Sequence, residues 1–337
     1  MSYPLISIVI PTYNRKNVLL ETLNSIKHQK YQNWEVIVVD DGSTDGTNSF
    51  MQEVCKASSQ INYYLRSDFT TKKGAPVCRN LGLEKAKGDY VVFLDSDDIL
   101  QKETLHNRVN SINESKDYDF LIFQGAFFTE SIDDSDRLWN KFTQENDLNR
   151  FLRGDVVWQT TGPLWKRSYL INSSLRFDEE AKSSQDWEFH VHALLQNPRY
   201  KKIDGKPDYF IRRDAVDKHR ISEGHYSIKS YFNRIPLIKK ILPKLNDVQE
   251  YELHKYLVRD TLAVLRNTSD IDIINTFEET NRLFASNINK NWGVVVKMMY
   301  YLRKKNLKTC NRILLRCLNF WKPYYFRKFK QNYRAKY

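Results

Sequence analysis

Tyr90-Val-Val-Phe-Leu-Asp-Ser-Asp-Asp98 is the stretch from which the rest of the chain is read. An apolar run, Tyr90 to Leu94, ends abruptly in three carboxylates, Asp95, Asp97 and Asp98. The run predicts a buried strand of a parallel sheet. Its C-terminal end, where the acids sit, is where open α/β sheets bind ligands. Three acids within four residues repel one another unless positive charge lies between them. A hard divalent cation such as Mg2+ or Mn2+, completed by phosphate oxygens, is one economical answer. The structural alternative is a solvated acidic turn, with Asp98 as a helix N-cap.

The segments around this stretch alternate between strand and helix patterns. Leu5-Ile-Ser-Ile-Val-Ile10 predicts a first buried strand, broken by Pro11-Thr-Tyr-Asn-Arg15. A helix is expected over 17–29, with Val18, Leu19, Leu23 and Ile26 on one face. Trp34-Glu-Val-Ile-Val-Val39 predicts a second strand, ending in Asp40-Asp-Gly-Ser-Thr-Asp-Gly46 with a helix from about Thr44. Further strands are expected at 61–65 and 119–123, and helices at 74–87 and 102–113. This alternation implies an α/β fold, a mostly parallel sheet with helices on both faces. Two strands therefore end in acids along one edge, Asp40/Asp41 and Asp95/Asp97/Asp98. No Gly-rich dinucleotide or P-loop signature is present. An acid-lined edge accepts a diphosphate only through a metal, which points to a metal-chelated nucleoside diphosphate.

The 337 residues suffice for two domains, or for one with an appendage. No run reaches the ~18 apolar residues of a membrane span, and the N-terminus has no signal-peptide pattern. Four scattered cysteines show no metal-ligand spacing, so a reducing cytoplasm is expected. The net charge of +12 is unevenly placed. Residues 280–337 hold 15 Lys plus Arg and no Asp or Glu, leaving 38 basic against 41 acidic side chains elsewhere. That segment calls for a local anionic partner.

Four motifs in order, Ser-Ile-Val-Ile-Pro-Thr-Tyr-Asn (7–14), Val-Val-Asp-Asp-Gly-Ser-Thr-Asp (38–45), Arg79-Asn-Leu-Gly-Leu and Phe-Leu-Asp-Ser-Asp-Asp (93–98), resemble the family 2 glycosyltransferases of GT-A fold. The resemblance covers about residues 5–125 closely and the remainder loosely. It implies a GT-A domain over 1–222, with a nucleotide-sugar-binding half (1–125) and an acceptor-binding half (126–222). A basic helical region over 223–337 would follow.

By this resemblance, Pro11 and Tyr13 border the nucleotide base. Asp41 accepts the uracil N3–H, which favours a UDP-sugar, and Asp40 is a candidate structural residue. Arg79 lies near the base or diphosphate. Asp95-Ser96-Asp97 matches the D-x-D motif: Asp95 contacts ribose and sugar, and Asp97 coordinates the Mn2+ or Mg2+ that bridges the phosphates. The catalytic base of the family lies at an acidic residue before a helix, often in a Glu-Asp pair. Here the pair is Gln185-Asp186, so the assignment rests on Asp186, with Glu188 as a rival. His219, in a loop resembling one that closes over the diphosphate, is a candidate second metal ligand, with Arg213 or Arg220 on phosphate. Each residue also has a plainer reading: Tyr13 as a strand-end aromatic, Arg79 as a solvated helix arginine, Asp186 as a helix cap, His219 as a packing residue.

The implied reaction is an inverting, metal-dependent hexosyl transfer from a nucleotide-sugar to a glycan or lipid-linked acceptor in surface polysaccharide synthesis. Helices are expected around 228–245, 248–267, 270–287 and 291–318. The basic, aromatic segment 280–337 suits peripheral contact with an anionic membrane at its cytoplasmic face. The same composition suits nucleic acid, but no nucleic-acid partner is expected beside a sugar-transfer domain. A helical cap on the catalytic domain is compatible with either. The rival functions are a nucleotidyltransferase that makes nucleotide-sugars, a D-x-D phosphatase and a non-catalytic glycan- or membrane-binding relative. The first lacks its Gly-rich triphosphate loop here, the second normally carries its motif on the first strand, and the third sits poorly with a near-complete set of acids.

Overall fold

The computed structural model of the chain describes residues 3–114, 117–135, 137–213, 227–265, 270–284 and 292–305. The strands are β1 (Ile6–Thr12), β2 (Trp34–Asp40), β3 (Ile61–Leu65), β4 (Tyr90–Phe93), β5 (Ile99–Leu100), β6 (Phe120–Ile122), β7 (Gly125–Phe128), β8 (Arg137–Leu138), β9 (Pro163–Lys166), β10 (Tyr200–Lys202) and β11 (Tyr209–Arg212). The helices are α1 (Lys16–Lys27), α2 (Thr47–Ala57), α3 (Ala75–Lys85), α4 (Thr104–Asn113), α5 (Asp147–Leu152), α6 (Arg167–Asn172), α7 (Gln185–Leu195), α8 (Ile228–Ile241), α9 (Asp247–Leu265), α10 (Ile271–Asn281) and α11 (Trp292–Lys304).

Seven strands form the main sheet in the order β10-β6-β9-β4-β1-β2-β3. β4, β1, β2 and β3 run parallel, as the apolar runs imply. Every residue of β1 and β2 is buried, because alternate side chains enter different cores. Val9, Ile37, Val39, Val91 and Phe93 face one cluster with α3 and α7. Ile6, Ile8, Ile10, Val36, Val38, Val92 and Leu94 face the other, with α1 and α4. Gly82 lets α3 lie directly on β1, since a Cβ there would stand 2.3 Å from Val9 Cγ1. Register then sets the site: Thr12 pairs with Asp40, and Val9 with Phe93, so the acids after β2 and β4 share one edge.

Three features depart from the sequence reading. Pro163–Lys166, for which no strand was expected, is β9, which runs antiparallel between β4 and β6. Gly162-Pro163 reads locally as a turn, yet Pro163 stands at the first strand position, where its missing N–H is tolerated. β10 is a short, partly exposed edge strand with no apolar run to announce it. A second sheet, β5-β11-β7-β8, is built from strands of two to four residues. It is fastened to α4 by Arg108, whose Nε and Nη2 donate to Asp208 at 2.7 and 2.9 Å.

The C-terminal helices share the core of the sheet. One apolar cluster runs from Val9 through Phe151 and Trp187 to Leu257, Phe277 and Tyr300. Within it Arg234 grips Asp260 by two bonds of 2.8 and 2.7 Å, both side chains almost fully buried. Among the described residues no helix is long and apolar enough to cross a membrane. Only 292–305 of the helix expected over 291–318 lies within the described residues, and there α11 spans Trp292–Lys304. Asp260→Ala strands the Arg234 guanidinium in this core. A loss of about 3–5 kcal/mol is expected from breaking such a pair, read as a lower urea midpoint, whereas an unchanged midpoint would refute a structural role for the pair.

Candidate functional site

The site begins at two loops stitched together. After β1, Asn14 adopts the left-handed conformation (φ 52°), which asparagine tolerates better than most residues. Its backbone N–H donates to Ser43 Oγ (2.8 Å), and its Oδ1 accepts from Thr44 N–H (2.7 Å). Asp41 N–H donates to Thr12 O, and Lys16 N–H to Asp45. Asp40 is fully buried and shapes the turn: its Oδ1 accepts from Gly42 N–H, Ser43 N–H and Ser43 Oγ–H, and its Oδ2 from Tyr63. Asp41 instead meets the edge. Arg66 Nε donates to one of its oxygens (2.8 Å) and Gly74 N–H to the other (2.9 Å). Pro11 is buried within β1, while Tyr13 is 54% exposed beside these loops.

The acids after β4 are each engaged. Asp98 N–H closes a turn onto Asp95 O, and Thr22 Oγ donates to the carbonyls of Ser96 and Asp98, pinning the segment to α1. Asp95 accepts from Arg79 Nη2 (2.6 Å) and Gln159 Nε2 (3.0 Å). Asp97 Oδ2 lies 2.6 Å from Arg15 Nη1, and its carbonyl accepts from Arg212 Nε at 3.2 Å. Ser96 and Asp98 are buried. Arg79 is buried too, not a solvated helix arginine. Its Nη1 donates to Gln185 Oε1 (2.9 Å) and its guanidinium stacks over Phe177. Arg79 thus joins the end of β4 to the start of α7.

Asp186 lies in the first turn of α7, after Ser184, whose side chain makes no capping bond. Ser184 holds the N-cap position, and the Asp186 carboxylate accepts from the first-turn backbone N–H of Trp187. The helix N-terminus alone favours its ionised form, but burial outweighs this and raises its carboxyl above the ordinary range. Its backbone hydrogen bond and Arg79 oppose the rise, and Asp95 adds to it. Glu188 points elsewhere. It is buried, pairs with His192 Nδ1 at 2.9 Å, and lines a cleft of about 630 Å3 with Lys240 and Lys244 of the α8 region. His190 is enclosed by Phe151, Trp158, Trp165 and Phe189, and burial pushes its pKa down to about 3. His219 and Arg220 lie outside the described residues.

Sequence reasoning missed Arg15, Thr22, Arg66, Gln159 and Arg212. Arg15 was within reach, as it directly follows the Pro11-Thr-Tyr-Asn14 turn. The others come from distant segments and carry no local signature. Among the described residues no three His, Cys, Asp or Glu side chains form a metal cage. A hard cation also accepts one or two carboxylates completed by phosphate oxygens. Asp97, at the open edge and nearly buried, fits that donor set.

Comparisons agree with this architecture. The profile described as glycosyl transferase family 2 matches residues 7–169. Glycosyltransferase GlyG of Streptococcus pneumoniae is 38% identical over 281 residues, covering 82% of this chain and 79% of GlyG. The poly(ribitol-phosphate) beta-N-acetylglucosaminyltransferase TarS of Staphylococcus aureus is 29% identical over 236 residues, or 69% of this chain and 39% of TarS. The chain spans less than half the length of several curated relatives it matches, TarS among them. The crystal structure of S. aureus TarS 1-349 in complex with UDP-GlcNAc superposes with a TM-score of 0.62 at 22% identity, covering 96% of this chain and 93% of that one. The α/β fold with its C-terminal helices is thus shared.

Proposed function

The chain belongs to glycosyl transferase family 2, and from that premise we propose that it moves a sugar from a UDP-sugar to a hydroxyl of a glycan or lipid-linked acceptor, with inversion, in bacterial surface polysaccharide synthesis. The observation that carries this reading is one edge where Asp41, Asp95 and Asp97 converge and Arg79 ties Asp95 to the helix start bearing Asp186. The UDP-GlcNAc complex of TarS supports a uridine donor.

In this reading the base lies beside Pro11 and the exposed Tyr13 ring. Asp41 is held by Arg66 and Gly74 with lone pairs to spare for the uracil N3–H. Asp95 would face ribose and sugar, and Asp97 would hold the Mn2+ or Mg2+. When bound, the cation supplies Lewis-acid stabilisation of charge on the departing diphosphate; a Mn2+-bound complex of the Pyrobaculum calidifontis mannosyltransferase PcManGT, alike in fold, is consistent with this. Asp186 takes the proton from the acceptor hydroxyl as that oxygen attacks the anomeric carbon. One displacement inverts the configuration. Residues 1–125 are the donor half, 126–222 the acceptor half, and 223–337 a C-terminal region whose described helix α9 packs against α7 through Tyr256 and Trp187.

Calorimetric titration of UDP and GDP, with and without Mn2+, tests the donor class. Mn2+-dependent UDP binding is expected in wild type and its loss in Asp97→Ala; preference for GDP would overturn the uridine assignment. The raised carboxyl of Asp186 also fixes a pH dependence. The base must be ionised, so kcat/KM falls as pH drops through a value above the ordinary carboxylate pKa. Asp186→Asn should abolish turnover at every pH; an active Asp186→Asn enzyme would overturn the assignment of Asp186 as the base.

We also propose peripheral contact with the cytoplasmic face of an anionic membrane through 280–337. It is supported by the acid-free charge of that segment and by the exposed Val294, Met298 and Tyr301 of α11. Co-sedimentation with phosphatidylglycerol vesicles but not phosphatidylcholine vesicles is the expected result. Equal recovery with both would remove the charge argument.

A further inference from the structure

Arg15 follows the Pro11-Thr-Tyr-Asn14 turn and is the N-cap residue of α1. Its Nη1 lies 2.6 Å from Asp97 Oδ2, with the two side chains only 15% and 10% exposed. We infer that Arg15 and a divalent cation are alternative partners of Asp97, so that Arg15 gates metal entry and makes it depend on the nucleotide. This rests on the proposed reading of Asp97 as a metal ligand.

The argument is electrostatic. A Mg2+- or Mn2+-sized ion on this carboxylate sits about 2.0–2.1 Å from its oxygen. A guanidinium on the same group would then face a doubly charged ion across a few ångströms with little water between. That repulsion grows as the local dielectric falls. The other nearby arginines are committed differently. Arg79 is on Asp95 and Gln185, and Arg212 donates to the main-chain carbonyl of Asp97, not to its carboxylate. Arg15 is paired with the carboxylate of Asp97 itself.

The backbone around Arg15 allows the exchange. Asn14 N–H is fixed to Ser43 and Lys16 N–H to Asp45, so the turn is held on both sides of Arg15. The loop is thus held by backbone contacts that do not involve the Arg15 side chain. A diphosphate at this edge offers the displaced guanidinium a charge-assisted, bidentate acceptor. Nucleotide then helps metal twice, by supplying ligands and by drawing Arg15 off Asp97. Metal and nucleotide binding are accordingly coupled, and each raises the affinity of the other.

The test reads free Mn2+ by electron paramagnetic resonance in wild type, Arg15→Gln, Arg15→Lys and Asp97→Ala, each with and without UDP. Thermal melts confirm that every variant is folded. Arg15→Gln should bind Mn2+ without UDP about tenfold more tightly than wild type, with a smaller further gain when UDP is added. Arg15→Lys, which keeps the charge, should stay close to wild type, and Asp97→Ala should bind in neither state. If wild type shows Asp97-dependent binding of Mn2+ with UDP but Arg15→Gln binds Mn2+ equally or more weakly, the gate is refuted and the metal site stands. If no protein shows Asp97-dependent Mn2+ binding, both the gate and the metal reading fall.

Discussion

Three carboxylates at the mouth of one buried strand are the constraint around which this site is built. Asp95, Asp97 and Asp98 follow an apolar run that fixes where they emerge. Unmatched, they would repel one another in a nearly dry corner. The structure answers with donors from across the chain: Arg15 after the first strand, Arg79 on α3 and Gln159 ahead of β9. Because these donors are scattered in sequence, the acids can be compensated only when the fold is complete. The same network tells the two outward acids apart. Asp95 is bonded toward α7, whereas Asp97 is bonded toward the loop that follows β1.

The C-terminal helices belong to this arrangement as much as the sheet does. Trp187, one residue beyond Asp186, is buried against Tyr256 of α9, and its indole N–H donates to Phe151 O on α5. The start of α7 is therefore held from two sides: by Arg79 reaching Gln185 from the sheet edge, and by aromatic packing from the helices. A purely appended tail would leave that helix to find its own position.

Much of this was legible in sequence, for identifiable reasons. Strands with five or more apolar residues announced β1, β2 and β4, and the acids at their ends followed from the break in hydropathy. β9 was hidden because Gly162-Pro163 imitates a turn and because four residues carry little periodicity. Strands β5, β7 and β8, of two to four residues, were hidden for the same reason. Arg15 and Gln159 were invisible as partners of the acids because an arginine or glutamine shows nothing in sequence of what it will touch some sixty or more residues away. Asp186 was singled out by resemblance, and what acts on its carboxyl is only partly legible in sequence. The helix N-terminus was visible in sequence, whereas the burial that outweighs it comes from tertiary packing.

The position of β9 also governs how the protein comes into being. Synthesis delivers β1 to β4 first, and these pair among themselves into a four-stranded parallel layer. The outer flank of β4 then waits as an open edge until Pro163–Lys166 has been made, since β6 reaches the layer only through β9. An unpaired edge of this kind is a template for wrong partners, and loop closure over such a span slows correct pairing. The nascent chain is therefore most vulnerable while its acids stand without Gln159 and before α7 arrives.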